Sequence, residues 1–229
     1  MEGMLEEYIV IFFKDLLVVI AGLVPIINPM GQMPIFLSLT QDIRKEDRKV
    51  LAKKIATYGF FLLLVSMLIG TYVLKFFGIS LSAVQIGGGL LVVKTGWSLL
   101  EADDSGESKK VSIEGPELLQ AAYARRAFYP LTFPLTVGPG SVSVAITLGV
   151  NSRAEGHVEI VSLIATTLGL FIVSGIVFLC FRFADRLVAK LGEIGTVVIL
   201  RMSAFILLCL GIQIIWNGLS ELIPHLFKT

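Results

Sequence analysis

Stretches without Asp, Glu, Lys or Arg run from 16 to 41, 55 to 74, 76 to 93, 127 to 152, 160 to 181 and 202 to 220. Each holds about 18 residues or more, near the ~20 that a helix needs to cross roughly 30 Å of hydrocarbon. A buried helix of a soluble protein would instead carry a polar stripe at helical spacing. The run from 160 to 181, IVSLIATTLGLFIVSGIVFLCF, has no such stripe. The pattern predicts an all-α membrane protein with six transmembrane helices.

Composition agrees. Of 229 residues, 55% are hydrophobic and 16% charged, against roughly 25% charged in an average soluble domain. With 19 basic against 18 acidic residues the net charge is +1, too balanced for a chain that would bind nucleic acid through excess positive charge. Cys180 and Cys209 lie far apart inside apolar runs, so neither a disulfide framework nor a metal site is expected. The first seven residues carry Glu2, Glu6 and Glu7 and no basic residue, the opposite of a cleaved signal peptide.

The connections between the runs set the orientation. Arg44, Lys45, Arg48, Lys49, Lys53 and Lys54 follow the first run, Lys109, Lys110, Arg125 and Arg126 the third, and Arg182, Arg186 and Lys190 the fifth. The alternate connections and ends hold only Lys14, Lys75, Arg153 and Lys228. This bias predicts a multi-pass protein with both termini on the non-cytoplasmic side of its membrane. Lys94 and Arg201 fall near the inner ends of the third and sixth runs and are expected to snorkel to the headgroups.

The polar stretch 101–126 divides the chain into residues 1–100 and 127–229, each with three runs. It is expected to be a cytoplasmic linker in which Pro116 starts a short helix. An odd number of crossings per half inserts the second half upside down, which gives two inverted three-helix repeats. The first run of each half is punctuated by proline and glycine: Pro25-Ile26-Ile27-Asn28-Pro29-Met30-Gly31-Gln32-Met33-Pro34 and Pro134-Leu135-Thr136-Val137-Gly138-Pro139-Gly140-Ser141. Helices 1 and 4 are therefore expected to break mid-membrane, where irregular backbone survives only inside protein or against a water-filled cavity. Transporters built from inverted repeats bind substrate between such helices.

The same residues carry a resemblance. The run from Asn28 to Thr40, then Arg48 and Ala52-Lys53-Lys54, resembles the opening signature of the MarC family of prokaryotic inner-membrane proteins, and Pro134 to Ser141 looks like its second signature. With the spacing of the six runs, the match covers essentially the whole chain. The family is also called the neutral amino acid transporter family, so the resemblance implies secondary active transport of small neutral amino acids such as glycine or alanine. It also suggests a coupling proton.

Residue chemistry is consistent with that substrate class. Neither broken segment carries a carboxylate or a centrally placed base, so a ligand with net charge would lack a partner in a low-dielectric site, whereas a zwitterion needs none. Candidate substrate-binding residues are Asn28, Pro29, Met30, Gly31 and Gln32 in the first segment, with Val137, Gly138, Pro139, Gly140, Ser141 and Ser143 in the second. Free N–H groups near Met30 to Gln32 and Gly140 to Val142 suit a carboxylate. Carbonyls near Ile27, Asn28 and Val137 suit an ammonium. Asn28 offers an amide for direct contact, while Ser141 and Ser143 offer hydroxyls that either cap a helix or meet the ligand. Gly31, Gly138 and Gly140 would let the backbone approach a small ligand.

Gly87, Gly88, Gly89, Gly169 and Gly175 are expected to pack helices closely, and Trp97 and Trp216 to sit in interfacial belts. Asp15 lies at the outer end of the first run, and no run centre holds Asp, Glu or His, so a midplane proton relay is not expected. Enzyme chemistry is not expected either. His157 and His225 fall outside the runs, and HExxH, GxSxG and phosphate-loop motifs are absent from the sequence. No cofactor is implied. A channel-like or noncatalytic membrane scaffold is the alternative, because broken helices can also line a pore. The oligomeric state stays open.

Overall fold

A bilayer leaves each backbone amide to find its partner within the chain, and the apolar runs answer by coiling. The computed structural model describes residues 2–40, 43–101, 125–151 and 158–226, and its described elements are all helical. They are α1 (Glu2–Ile27), α2 (Pro29–Leu39), α3 (Lys45–Phe76), α4 (Leu81–Glu101), the irregular α5 (Ala127–Thr136), α6 (Pro139–Asn151), α7 (Val158–Arg182) and α8 (Ala184–Leu226). Most of the 101–126 linker, with the helix expected after Pro116, lies outside the described residues, as do Arg153 and His157.

Five spans are long and apolar enough to cross a membrane: Glu6–Leu37, which runs through α1 and α2 as one span rather than as a sharply bent pair, Lys45–Phe76, Leu81–Glu101, Ile160–Arg182 and Ile194–Leu222. The pair α5–α6, bent by 70°, makes a sixth if counted as one span. Two helix ends differ from where the charges placed them. Lys75 remains inside α3, and the chain turns instead at Gly78, whose φ of 67° only glycine adopts readily. There the Ile79 N–H reaches back to the Leu74 carbonyl at 2.9 Å, ending the helix with a left-handed cap. The charged stretch before the last span is also helical, interrupted at Gly192 by a φ of 66°.

Core side chains come from both halves. Leu23, Ile27, Phe36, Ile55, Leu63, Met67, Leu170 and Val173 are fully buried, while Phe61, Phe171, Ile194 and Phe205 face outward, as a hydrocarbon solvent permits. Trp97 and Trp216 are also outward-facing. Phe36 of α2 stacks on Phe181 of α7 with centroids 4.6 Å apart.

Helices α4 and α8 approach each other closely. Ser82, Gly89 and Gly96 recur every seven residues on α4, and Ala204, Gly211 and Gly218 do the same on α8. A methyl group placed on Gly89 would lie 2.8 Å from the Gly211 carbonyl, and one on Gly96 would lie 2.9 Å from the Ala204 carbonyl. One on Gly218 would lie 2.8 Å from the Ser82 carbonyl. Small residues thus bring the two backbones together without a hydrophobic driving force.

Of the glycines expected to pack, Gly88 meets Ser143, Gly89 meets α8 and Gly169 meets Val19. Gly87 and Gly175 do not, since each has open space within 4 Å. Two residues along a helix rotate the side chain by roughly 200°, so Gly87 points away from the face that Gly89 presents. Arg201 donates to the Leu100 carbonyl at the end of α4. It serves as a C-terminal cap there.

Candidate functional site

Asn28 separates α1 from α2. It adopts the left-handed conformation, φ 49° and ψ 59°, which asparagine tolerates better than most side chains. Pro29 can open α2 because the first helical position needs no N–H. The Asn28 Oδ1 accepts the Gly31 N–H at 3.1 Å and so caps the new helix. A methyl group at Gly31 would fall 2.4 Å from the Asn28 Nδ2. Gly31 thus admits the capping side chain, and the Nδ2 hydrogens are what Asn28 retains for other partners.

Replacing Asn28 separates these roles. Asn28→Gly keeps the left-handed backbone, whereas Asn28→Ala loses both cap and conformation. The alanine variant should therefore unfold at lower temperature, by an extra ~1 to 2 kcal/mol. Differential scanning fluorimetry of the purified variants checks the order.

The second interruption is built from a repeated tetrapeptide, Tyr129-Pro130-Leu131-Thr132 and Phe133-Pro134-Leu135-Thr136. The residue before each proline is extended, with φ −122° and ψ 123° at Tyr129 and φ −116° and ψ 127° at Phe133, as the proline ring demands. Each threonine repairs the damage. Thr132 Oγ1 donates to the Ala127 carbonyl and Thr136 Oγ1 to the Leu131 carbonyl, both at 2.6 Å. The Val137 N–H then bonds the Thr132 carbonyl at 2.8 Å, and α6 starts at Pro139. Thr132 lies outside the proline- and glycine-marked segment, and the tetrapeptide repeat is the signal that identifies it.

The two interruptions meet through Gln32. Its Nε2 donates to the Ile27 carbonyl at 2.5 Å and, across to the other half, to the Leu135 carbonyl at 2.9 Å. Both amide hydrogens are thereby spent, and the reversed amide would set its oxygen against two carbonyl oxygens. Gln32 is 9% exposed, and among the described residues its buried Oε1 finds no hydrogen-bond donor.

A cavity of about 450 Å³ lies where the halves meet. The candidates Asn28, Gln32, Gly138, Pro139, Gly140 and Ser141 line it, joined by Lys94, Thr95 and Ser98 from α4. Pro29, Met30, Gly31, Val137 and Ser143 are not in its wall. Met30 points outward, 60% exposed, and Val137 is buried beside Gly59. Ser143 turns to α4, where its hydroxyl donates to the Val84 carbonyl at 3.1 Å. Lys94, expected only to snorkel, is the charged side chain of the wall. It shares the face of Gly87, roughly 200° around α4 from the heptad glycines, a placement that run lengths do not reveal.

On one side of the cavity α4 and α6 close against each other. Gly140 sits so near that a methyl group there would lie 2.1 Å from Val92 Cγ2. Farther along this seam Gln85 Nε2 reaches Thr147 Oγ1 at 3.4 Å. Near the start of α4, Ser82 faces α8 instead and donates to Glu221 at 2.8 Å. On the other side the wall continues along α4 to Ser98 and Leu99. Away from the cavity, Asp15 accepts a hydrogen bond from Ser162 and ties α1 to α7.

Comparison with known proteins follows the same residues. The family described as MarC family integral membrane protein matches residues 13–223. A membrane protein of Aquifex aeolicus is 31% identical over 96% of this chain and 98% of its own length. A membrane protein of Methanocaldococcus jannaschii is 33% identical over 85% of this chain and 90% of its own. The inner membrane protein MarC of Salmonella typhimurium is 31% identical over 92% and 96%. No solved structure matches significantly. With its family signature spread over nearly the whole chain and its apolar helices long enough to span a bilayer, the protein belongs to the MarC family of multi-pass integral membrane proteins.

Proposed function

We propose that this protein is a secondary active transporter of small neutral amino acids, which bind in the cavity between the two interrupted spans. The observation that carries the reading is the Gln32 bridge, which joins both interruptions around one cavity and leaves a buried acceptor without a donor among the described residues. An ammonium group supplies such a donor. The Asn28 Nδ2, the Ser141 hydroxyl and the N-terminal turn of α6 offer hydrogen-bond donors to a carboxylate. Lys94 adds a cation on the cavity wall. A carrier also needs its site shut from one side at a time, and the α4–α6 seam favours a carrier over a continuous pore.

The two halves are read as inverted repeats, with spans 1 and 4 broken near mid-membrane and the basic end of the bundle in the cytoplasm. A reporter at residue 105 should then be cytoplasmic and one at residue 153 external; both on one side would sink the inverted arrangement. Uptake of labelled glycine or alanine into proteoliposomes tests the function. It should saturate and be competed by unlabelled alanine. Flux that grows linearly with concentration would indicate a channel, and no flux at all would leave a scaffold. Enzymatic activity forms no part of this reading.

A further inference from the structure

At the basic end of the bundle a second concavity, of about 350 Å³, lies between the start of α3 and the corner joining α7 to α8. Lys45, Arg48, Lys49, Arg182 and Arg186 line it. Against these five cations stand two carboxylates, Glu46 and Asp185. One cation is already committed, since Arg48 pairs with Asp185 at 2.8 Å and bonds the Ile43 carbonyl at 3.0 Å. That pair pins α3 to α8 and fixes the shape of the floor. Arg182 and Arg186 bracket the Phe183 ring, 5.5 and 5.9 Å from its centroid. Lys45 and Lys49 are exposed at the rim.

Cations held this close repel one another, and each gains when an anion enters among them. The first turns of α3 and α8 both contribute residues to the wall, so the unsatisfied N–H groups of two helix starts add to the same potential. Position selects the kind of anion. The α7 span ends at Arg182, which sets the pocket at the depth where lipid phosphates lie, and Phe181 and Phe183 supply apolar wall beside the charges. Phosphate suits arginine geometry in particular, because the guanidinium fork donates two parallel hydrogen bonds.

We propose that this pocket is a phosphate site that takes the headgroup of an anionic membrane lipid. A headgroup with two phosphates matches the excess of cations better than one with a single phosphate. The site is separate from the cavity at Gln32 and does not depend on the transport reading.

The test is a native mass spectrometry titration of the full chain in detergent. Its arms are cardiolipin, phosphatidylglycerol, phosphatidylcholine and inorganic phosphate. Its protein forms are wild type, the triple variant Lys45→Gln/Lys49→Gln/Arg186→Gln, and the single variant Lys49→Glu. Wild type should bind cardiolipin more tightly than phosphatidylglycerol, and phosphatidylcholine least. The triple variant should lose on the order of a hundredfold in cardiolipin affinity, from roughly fivefold per basic residue at a membrane surface. If the triple variant fails to fold, Lys49→Glu, at an exposed rim position, carries the comparison and should weaken binding at least about fivefold. Equal affinity for phosphatidylcholine, or cardiolipin binding unchanged in the variants, would overturn the site. Inorganic phosphate binding as tightly as the lipids would overturn the lipid source and assign a soluble phosphate instead.

Discussion

Alanine substitutions along Gly87-Gly88-Gly89 are expected to give three different outcomes on three adjacent residues. At Gly87 nothing lies within 4 Å of the new methyl group, so the helix gains alanine's better propensity, up to ~1 kcal/mol, at no steric cost. At Gly88 the methyl lands 2.7 Å from Ser143 Cβ and strains the hydroxyl bond to Val84. At Gly89 it meets backbone, 2.8 Å from the Gly211 carbonyl and 3.0 Å from the Ile215 nitrogen. A side chain can rotate away; a backbone cannot. Gly89→Ala should therefore cost the most, about 3 kcal/mol, and Gly89→Leu more than that. For a chain of this size 3 kcal/mol corresponds to a fall in Tm of roughly 6 to 12 °C. Gly211→Leu should match it, because it inserts into the same seam from the other side. Thermal unfolding in detergent is the measurement. Equal effects at all three glycines would show that α4 and α8 do not pack along this face.

Gly140→Leu is expected to abolish binding of glycine and alanine, and Gly140→Ala to weaken it at least about tenfold. The reason lies in the contact with Val92. Cβ at position 140 points at Val92 Cγ2, 2.1 Å away, with the Gly88 carbonyl 3.4 Å away behind it, so a methyl group there must force the stiff, buried Val92 from its rotamer and a larger side chain pushes α4 from α6. Lys94, Thr95 and Ser98, which ride on α4 and line the cavity, shift with it. Trimming the obstacle should reverse the loss: Gly140→Ala/Val92→Ala should recover most of the affinity, although Val92→Ala by itself leaves a void. Isothermal titration with glycine, alanine, leucine and glutamate reads all of this. If the double variant stays as weak as Gly140→Ala while its Tm recovers, position 140 touches the ligand directly. Wild-type binding of leucine or glutamate but not of glycine or alanine would overturn the small neutral assignment.

The glycine series also marks how far sequence carries. Runs without charge mark five spans of the structure directly, and the remaining run is the α5–α6 pair, which bends where Pro134, Gly138 and Pro139 cluster. Asn28-Pro29 marks the end of α1 to the residue, since proline removes a donor and asparagine accepts the left-handed angle. Gly87 and Gly175 misled, because a list of small residues carries no facing direction until the partner helix is placed.

The candidate site divides in the same way. Composition around the interruptions points to Asn28, Gln32 and Gly138 to Ser141, which reach the cavity wall, and equally to Pro29, Met30, Gly31, Val137 and Ser143, which do not. What the sequence could not reveal was that Ser143 would spend its hydroxyl on Val84, or that Lys94 would come to that wall. Both depend on the rotation of α4 about its axis.

Local chemistry by itself determined that this chain is a multi-pass helical membrane protein, for hydrocarbon admits only segments that satisfy their own backbone, and it located the interruptions, for proline and asparagine act on their own residues. Tertiary structure alone decided that the interruptions meet. Gln32 and Leu135 are 103 residues apart in sequence, and only the packing of both halves brings an amide of one onto a carbonyl of the other.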